Sequence, residues 1–113
     1  MSIEVQFHDD TKTLILSITK DFDYALAEAF TKAYQQPAKH YVLDMSKVGY
    51  IDSSALGMLL SLREYAFSQG ADVSIANMND VVLEIFRVLN FHKIFKPEYH
   101  KSNFRVMWVA NPE

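Results

Sequence analysis

Hydrophobic and polar residues alternate with a period of two at both ends of the chain. Residues 3–7 and 13–19 show this alternation, and the turn-forming residues 8–11 separate them. The pattern predicts an antiparallel β-hairpin at the start of the chain. Residues 104–109 alternate in the same way and predict a last strand.

Two further strands are predicted in the interior of the chain. Residues 41–43 are continuously apolar, which is typical of a central strand that is covered on both faces. Residues 72–76 form a second interior strand after Gly70, which fits a turn or a helix stop. Pro97 is expected to break regular structure between the last helix and the final strand.

Three segments carry apolar residues at helical spacing. The first ends before Pro37, the second follows Ser53, and the third follows the capping residues 77–80. Their apolar positions include Phe22, Leu26 and Phe30, then Leu56, Leu59 and Leu62, then Val82, Phe86 and Leu89. The resulting order is β-β-α-β-α-β-α-β with two β-α-β crossovers. It predicts one α/β domain spanning residues 1–113, with a mixed sheet and helices packed against it.

The second helix has an unusually wide apolar surface. On a helical wheel Gly57, Ser61, Glu64 and Ser68 gather on one narrow polar arc, and apolar residues occupy nearly all the rest. A helix that lies on a sheet needs a narrower arc than this. Either neighbouring helices cover the extra flank, or part of it receives a partner.

Composition and charge exclude several classes of function. The chain has 113 residues, of which 50% are hydrophobic and 22% are charged, and its formal net charge is −3. A direct nucleic-acid partner is therefore not expected. No apolar run approaches the roughly 18 residues that cross a bilayer, and the first ten residues lack a signal-peptide pattern, so membrane insertion is not expected either. The absence of cysteine fits a cytoplasmic location.

No constellation typical of catalysis or metal binding is present. There is no G-x-S-x-G motif, and His8, His40, His92 and His100 lie in or beside predicted loops with no spacing that pairs one with a serine. The carboxylates are scattered, and three glycines in total cannot build a glycine-rich phosphate loop. We therefore predict that the chain is not an enzyme and has no cofactor or metal.

Residues 41–62 are the stretch around which the chain is organised. A short strand leads through a loop to Asp52, Ser53 and Ser54, which directly precede the second helix. Their side-chain oxygens suit the unpaired amides of a first helical turn. From the residues alone, Ser53 and Ser54 are capping residues, phosphate acceptors or nucleophiles.

The pattern D-x-S-x-V-x-x-I-D-S-S-x-L-G, from Asp44 to Gly57, resembles the signature of STAS domains. Within that superfamily it is most similar to the bacterial anti-sigma factor antagonists. The resemblance implies a STAS-like fold with the helices packed on one side of the sheet and the start of the second helix exposed. It also implies that Ser53 is the residue that a partner serine kinase phosphorylates, with Ser54 as the fallback acceptor. Two positions where the family commonly has glycine differ, since this chain has Lys20 and Ala55.

The resemblance further implies partner switching in transcription regulation. The unphosphorylated chain would bind an anti-sigma factor or a related regulator, phosphorylation would block docking, and a serine phosphatase would restore it. We predict that the docking surface combines the loop before the second helix with the start and exposed flank of that helix. Its candidate residues are Val48, Gly49, Asp52, Ser53, Ser54, Ala55, Met58 and Leu62.

Two alternatives remain at this point. The same domain could be a STAS subunit of a membrane transport assembly for lipids or solutes, bound constitutively to its ATP-binding-cassette partner. It could also be a small ligand-sensing module, which would need a pocket near Ser53. Monomer and weak dimer are both compatible with the sequence.

Overall fold

The computed structural model of the protein describes residues 2–100 and 105–112. In these residues six strands and three α-helices follow one another along the chain. They are β1 (Ile3–His8), β2 (Thr13–Ile18), α1 (Ala27–Tyr34), β3 (His40–Asp44), α2 (Ser54–Ser68), β4 (Asp72–Ala76), α3 (Asp80–Val88), β5 (Lys96–His100) and β6 (Arg105–Ala110). Short 3-10 turns at Tyr24–Leu26 and Phe91–Lys93 precede α1 and β5.

The strands form one mixed sheet in the order β1-β2-β3-β4-β6-β5. The three central strands β2, β3 and β4 are parallel, whereas β1, β6 and β5 pair antiparallel with their neighbours. The predicted α/β class, the mixed sheet and the leading hairpin are therefore confirmed. Because β2 and β3 run in the same direction, the connections that leave them toward α1 and α2 emerge at the same end of the sheet.

The structure contains one strand that the sequence pattern does not predict, because Pro97 is expected to break regular structure. Pro97 instead lies in the edge strand β5, opposite Trp108 of β6. An edge strand accepts proline because the N–H that proline lacks can face away from the ladder. The last strand is β6, and the predicted starting residue Phe104 lies outside the described residues.

All three helices pack on one face of the sheet. Alternate residues of the parallel strands are buried on that face, among them Leu14, Leu16, Tyr41 and Leu43. The intervening residues, such as Val42, remain partly exposed on the other face. The predicted one-sided arrangement is thus confirmed.

The wide apolar surface of α2 is largely covered. Its inward residues are buried, and its flank meets α1, where the rings of Tyr34 and Tyr65 lie 5.4 Å apart. The interpretation that neighbouring elements cover the flank is confirmed for most of it. Leu60 is the exception, since it is 36% exposed next to Gly57 and Ser61.

Candidate functional site

The connection from β3 to α2, residues 45–53, is pinned to the core by three apolar side chains. Met45, Val48 and Ile51 are all buried, whereas Gly49 and Tyr50 between them are exposed. The alternation of buried anchors and exposed residues fixes the path of the loop. The exposed residues of the loop are therefore held in fixed positions on the surface.

The same loop is tied to the start of α3 through Asn79. The Nδ2 atom of Asn79 donates to the carbonyl oxygen of Val48 at 3.1 Å, and its Oδ1 atom accepts from the N–H of Val82 at 2.8 Å. One side chain thus caps α3 and holds the loop at the same time. A second tie joins Asn77 Nδ2 to Asp44 Oδ1 at 3.0 Å.

On its other side the loop is bonded to the segment between β2 and α1. The N–H of Phe22 donates to the carbonyl oxygen of Tyr50 at 3.0 Å, and the N–H of Asp52 donates to that of Phe22 at 3.2 Å. These bonds form an isolated parallel bridge between Phe22 and Ile51. They bring Tyr24, two residues after Phe22, to the start of α2.

Asp52 supplies the cap of α2. Its Oδ1 atom accepts from the N–H of Ser54 at 2.9 Å and from the Ser54 hydroxyl at 2.5 Å. The Ser54 hydroxyl, followed by the backbone N–H groups of Ser54, Tyr24 and Ala55, holds the pKa of Asp52 below its ordinary value, and partial burial opposes this effect. Asp52 is therefore a carboxylate at neutral pH.

Ser53 and Ser54 differ in the state of their hydroxyl groups. Ser53 occupies the N-cap position but has helical torsion angles, φ −65° and ψ −21°, and its side chain makes no capping hydrogen bond. Ser53 is exposed, and its hydroxyl has no hydrogen-bond partner among the described residues. Ser54 is partly buried and donates to Asp52. The available hydroxyl at the start of α2 is that of Ser53.

Two exposed tyrosines belong to the segments that flank Ser53. Tyr24 is 75% exposed and Tyr50 is 51% exposed. Asp21 lies in the same region, since a Cβ built on Gly49 would meet its Oδ1 atom at 3.8 Å. Together with Asp52, these residues give the surface an aromatic and acidic character. Sequence reasoning missed Tyr24, because only the pairing of residues 22 and 51 brings it to this end of the sheet.

Four of the predicted docking residues are not on the surface. Val48, Ala55, Met58 and Leu62 are all buried, because they face the sheet from the loop and from the inner side of α2. The prediction that they contact a partner directly needs correction. Gly49 and Ser53 are exposed, and Asp52 and Ser54 are partly exposed. The exposed residues of α2 are Gly57, Leu60, Ser61, Glu64 and Ser68.

The described residues contain no group of three or more His, Asp or Glu side chains positioned to hold a metal ion. None of their helices is long and apolar enough to cross a bilayer. A surface hollow of about 290 Å³ lies beside the β2–α1 segment, where Lys20, Asp21 and Asp23 line part of it, and Ser53 is not among its lining residues.

Comparison with known proteins identifies the family. The STAS domain family matches residues 2–103, so the chain belongs to the STAS domain family. A STAS-domain containing protein of Pseudomonas aeruginosa is 39% identical over 90 residues, which cover 77% of this chain and 89% of that protein.

Solved structures share the fold at low sequence identity. An anti-sigma factor antagonist from Mycobacterium paratuberculosis aligns with a TM-score of 0.70 and 17% identity, over 89% of this chain and 87% of that one. A sulfate transporter family protein from Wolinella succinogenes aligns with a TM-score of 0.65 and 18% identity, over 73% and 70%. The Bacillus cell fate determinant SpoIIAA in its phosphorylated form aligns with a TM-score of 0.55 and 12% identity, over 76% and 81%. At these identities the similarity establishes the fold alone.

Proposed function

We propose that this protein is a cytoplasmic, non-enzymatic interaction module that is switched by phosphorylation of Ser53. In its unphosphorylated form it docks on an anti-sigma factor or a related regulator. A serine kinase disables docking and a phosphatase restores it. The observation that carries the proposal is the exposed Ser53 hydroxyl at the start of α2, which makes no capping hydrogen bond, next to a Ser54 hydroxyl that already donates to Asp52.

The position of Ser53 explains how a phosphate would act without unfolding the domain. A phosphoserine adds about −1.5 to −2 charges at neutral pH. The N–H groups of Ser54, Ala55 and Leu56 already donate to Asp52 and Ser53, so the dipole of α2 is the feature that favours an anion at this end of the helix. The carboxylate of Asp52 is a second anion at this end of α2, and its lowered pKa keeps it charged beside a phosphate on Ser53. The new charge therefore acts outward, on a partner that approaches this end of the sheet.

The exposed residues around Ser53 define the docking surface that we propose. Tyr24 and Tyr50 are large, amphipathic side chains of the kind that anchor protein interfaces. Gly57 and Leu60 extend the surface along α2. The partner surface is expected to have hollows for the two tyrosines, and the bulk and negative charge of a phosphate on Ser53 would prevent close contact with it.

The similarity of the fold to a sulfate transporter family protein favours one alternative, a subunit that binds a transport assembly constitutively. In that case the Ser53 hydroxyl is dispensable. Partner binding and cell phenotype would then be unchanged in Ser53→Ala.

The deciding experiment is peptide mass spectrometry on the protein isolated from its native cells, combined with partner capture. Wild type, Ser53→Ala, Ser53→Glu and Ser54→Ala are compared, and Ser61→Ala is the matched control because Ser61 is an exposed serine two turns further along α2. We expect phosphate on Ser53 and loss of a captured partner when Ser53 is phosphorylated or replaced by glutamate.

Three results would change this conclusion. Phosphate on Ser54 alone moves the acceptor by one residue. No phosphate under any growth condition, with equal capture by all five proteins, contradicts the switch and supports the constitutive subunit. Phosphate on Ser53 with unchanged capture contradicts the proposed effect on docking.

A further inference from the structure

The free edge of the sheet at β1 has unpaired backbone groups in a defined pattern. In the described part of the chain β1 pairs only with β2, and the N–H of Thr19 donates to the carbonyl oxygen of Ser2 at 2.9 Å. In an antiparallel pair, residues that bond to the neighbouring strand alternate with residues whose backbone groups point away from it. Ser2 bonds to Thr19, which directly follows β2, so in the continuing register Ile3, Val5 and Phe7 direct their N–H and C=O groups to the free edge.

The same three residues carry apolar side chains, and two of these are exposed. Val5 is 45% exposed and Phe7 is 39% exposed, on the face of the sheet that the helices cover elsewhere. Strand edges in natural proteins are commonly protected by lysine or proline. The opposite edge strand β5 begins with Lys96 and Pro97, whereas β1 contains neither residue type.

We infer that β1 pairs antiparallel with the β1 strand of a second copy of this chain. Val5 is the middle one of the three residues that face the free edge, so a two-fold axis through it aligns all of their hydrogen-bonding groups. Val5 then lies opposite the partner's Val5, and Ile3 lies opposite the partner's Phe7. On the other face Glu4 lies opposite the partner's Gln6.

This register is self-complementary, which is why a second copy is the occupant that fits. No two like charges face each other, and the Gln6 amide can donate to the partner's Glu4. The exposed parts of Val5 and Phe7 become covered by apolar side chains. The two sheets join into one continuous sheet across the axis.

The pairing is expected to be weak and independent of the candidate docking site. A contact made through one short strand lies at the low end of interface area, below about 1,200 Å², so the dimer should dissociate on dilution. β2 separates β1 from β3, whose end leads to Ser53. Loss of the dimer and loss of partner docking can therefore be measured separately.

The experiment is analytical ultracentrifugation of the full chain over a concentration series, with amide hydrogen exchange followed by NMR. Val5→Lys introduces repelling charges at the two-fold axis, and Val5→Pro removes an N–H that β2 does not use. Val106→Lys is the matched control, because Val106 is also a valine that is 45% exposed and lies on β6 away from the free edge. Circular dichroism verifies that each variant is folded.

We expect wild type and Val106→Lys to reach twice the mass of the chain at high concentration, and both Val5 variants to dimerise at least tenfold more weakly. In wild type the Val5 and Phe7 amides should exchange more slowly as concentration rises, while the Gln6 amide is protected throughout. A wild type that stays monomeric with fast-exchanging Val5 and Phe7 amides would overturn the inference. A dimer that Val5→Lys leaves intact would also overturn it. If a variant fails to fold, the concentration dependence of the wild-type amides decides alone.

Discussion

At the scale of single residues, Asp52 and Ser53 divide two tasks at the start of α2. Asp52 accepts the N–H and hydroxyl of Ser54 and so performs the capping that its neighbour would otherwise perform. Ser53 consequently keeps an exposed hydroxyl with no capping bond. The stability of the helix start and the availability of the hydroxyl therefore rest on different side chains.

Replacing Asp52 should weaken the domain in a pH-dependent way. Asp52→Ala removes the cap and should cost about 1 kcal/mol of unfolding free energy, whereas Asp52→Asn, which retains an acceptor, should cost less. Asp52 has a lowered pKa in the folded state, so its charge stabilises the fold above its ordinary pKa, about 3.9, and this contribution is lost as pH falls through the lower folded value.

Denaturant unfolding of wild type and Asp52→Asn from pH 7 downward measures this effect. The stability advantage of wild type should shrink below about pH 4, because the other carboxylates titrate equally in both proteins. If the difference in unfolding free energy between wild type and Asp52→Asn grew as the pH fell, that result would contradict the assigned role of Asp52.

Gly57→Ala should stabilise the free domain and weaken docking. Gly57 lies inside α2, is exposed, and would place no added Cβ within 4 Å of another atom. Alanine in an exposed helix interior is favoured over glycine by about 0.5–1 kcal/mol, so the melting temperature should rise by a few degrees. Glycine at position 57 therefore gives the folded domain no stability. We infer that glycine is present there because it lets a partner approach the helix closely.

Calorimetry tests the predicted gain in stability, and a binding titration with the captured partner tests the predicted loss of affinity. Ser61→Ala is the control, because Ser61 lies on the same polar face of α2 as Gly57. Unchanged affinity in Gly57→Ala would remove Gly57 from the docking surface.

At the scale of elements, the site loop is held by neighbouring segments on both sides as well as by its own buried side chains. Asn79 at the start of α3 binds the Val48 carbonyl, and Phe22 after β2 bonds to Tyr50 and Asp52. The exposed residues of the loop are thus positioned by segments on both sides of it in the sheet.

Asn79→Asp should loosen the loop without uncapping α3. Aspartate keeps the oxygen that accepts from Val82 but lacks the N–H that donates to Val48. Asn79→Ala loses both bonds and should cost about 1 kcal/mol of stability, more than the aspartate variant. Amide exchange across residues 46–52 should accelerate in both variants, and an unchanged rate in Asn79→Asp would show that the Val48 bond does not hold the loop.

At the scale of the whole molecule, α2 serves the core with one face and the candidate interface with the other. Leu62 is fully buried, while Leu60 on the same helix is 36% exposed. Defects in binding can therefore arise from lost folding or from a lost contact, and the two must be separated.

Leu62→Ala should lose about 2–5 kcal/mol of unfolding free energy, which is a large part of the stability of a domain of this size. Leu60→Ala should lose less than about 1 kcal/mol and should reduce partner affinity directly. Chemical denaturation and a binding titration on both variants distinguish these effects. A nearly neutral Leu62→Ala would contradict its position in the core.

Features that depend on local spacing can be predicted from the amino-acid sequence. Period-two and helical patterns predicted the hairpin, the three helices and the parallel crossovers, because periodicity records which side of each element is buried. The run from Asp44 to Gly57 likewise identified the loop and helix start that form the candidate site.

Features that depend on which element lies beside which can be seen only in the folded chain. Tyr24 reaches the site only through the bridge between Phe22 and Ile51, and Asp52 rather than Ser53 caps α2 because the loop path presents its carboxylate to Ser54. Pro97 could join a strand only because β5 is at an edge. Met58 and Leu62 face the sheet rather than a partner, since a wide apolar arc does not say which part neighbouring elements cover. These outcomes follow from contacts between residues distant in sequence, which a local pattern does not contain.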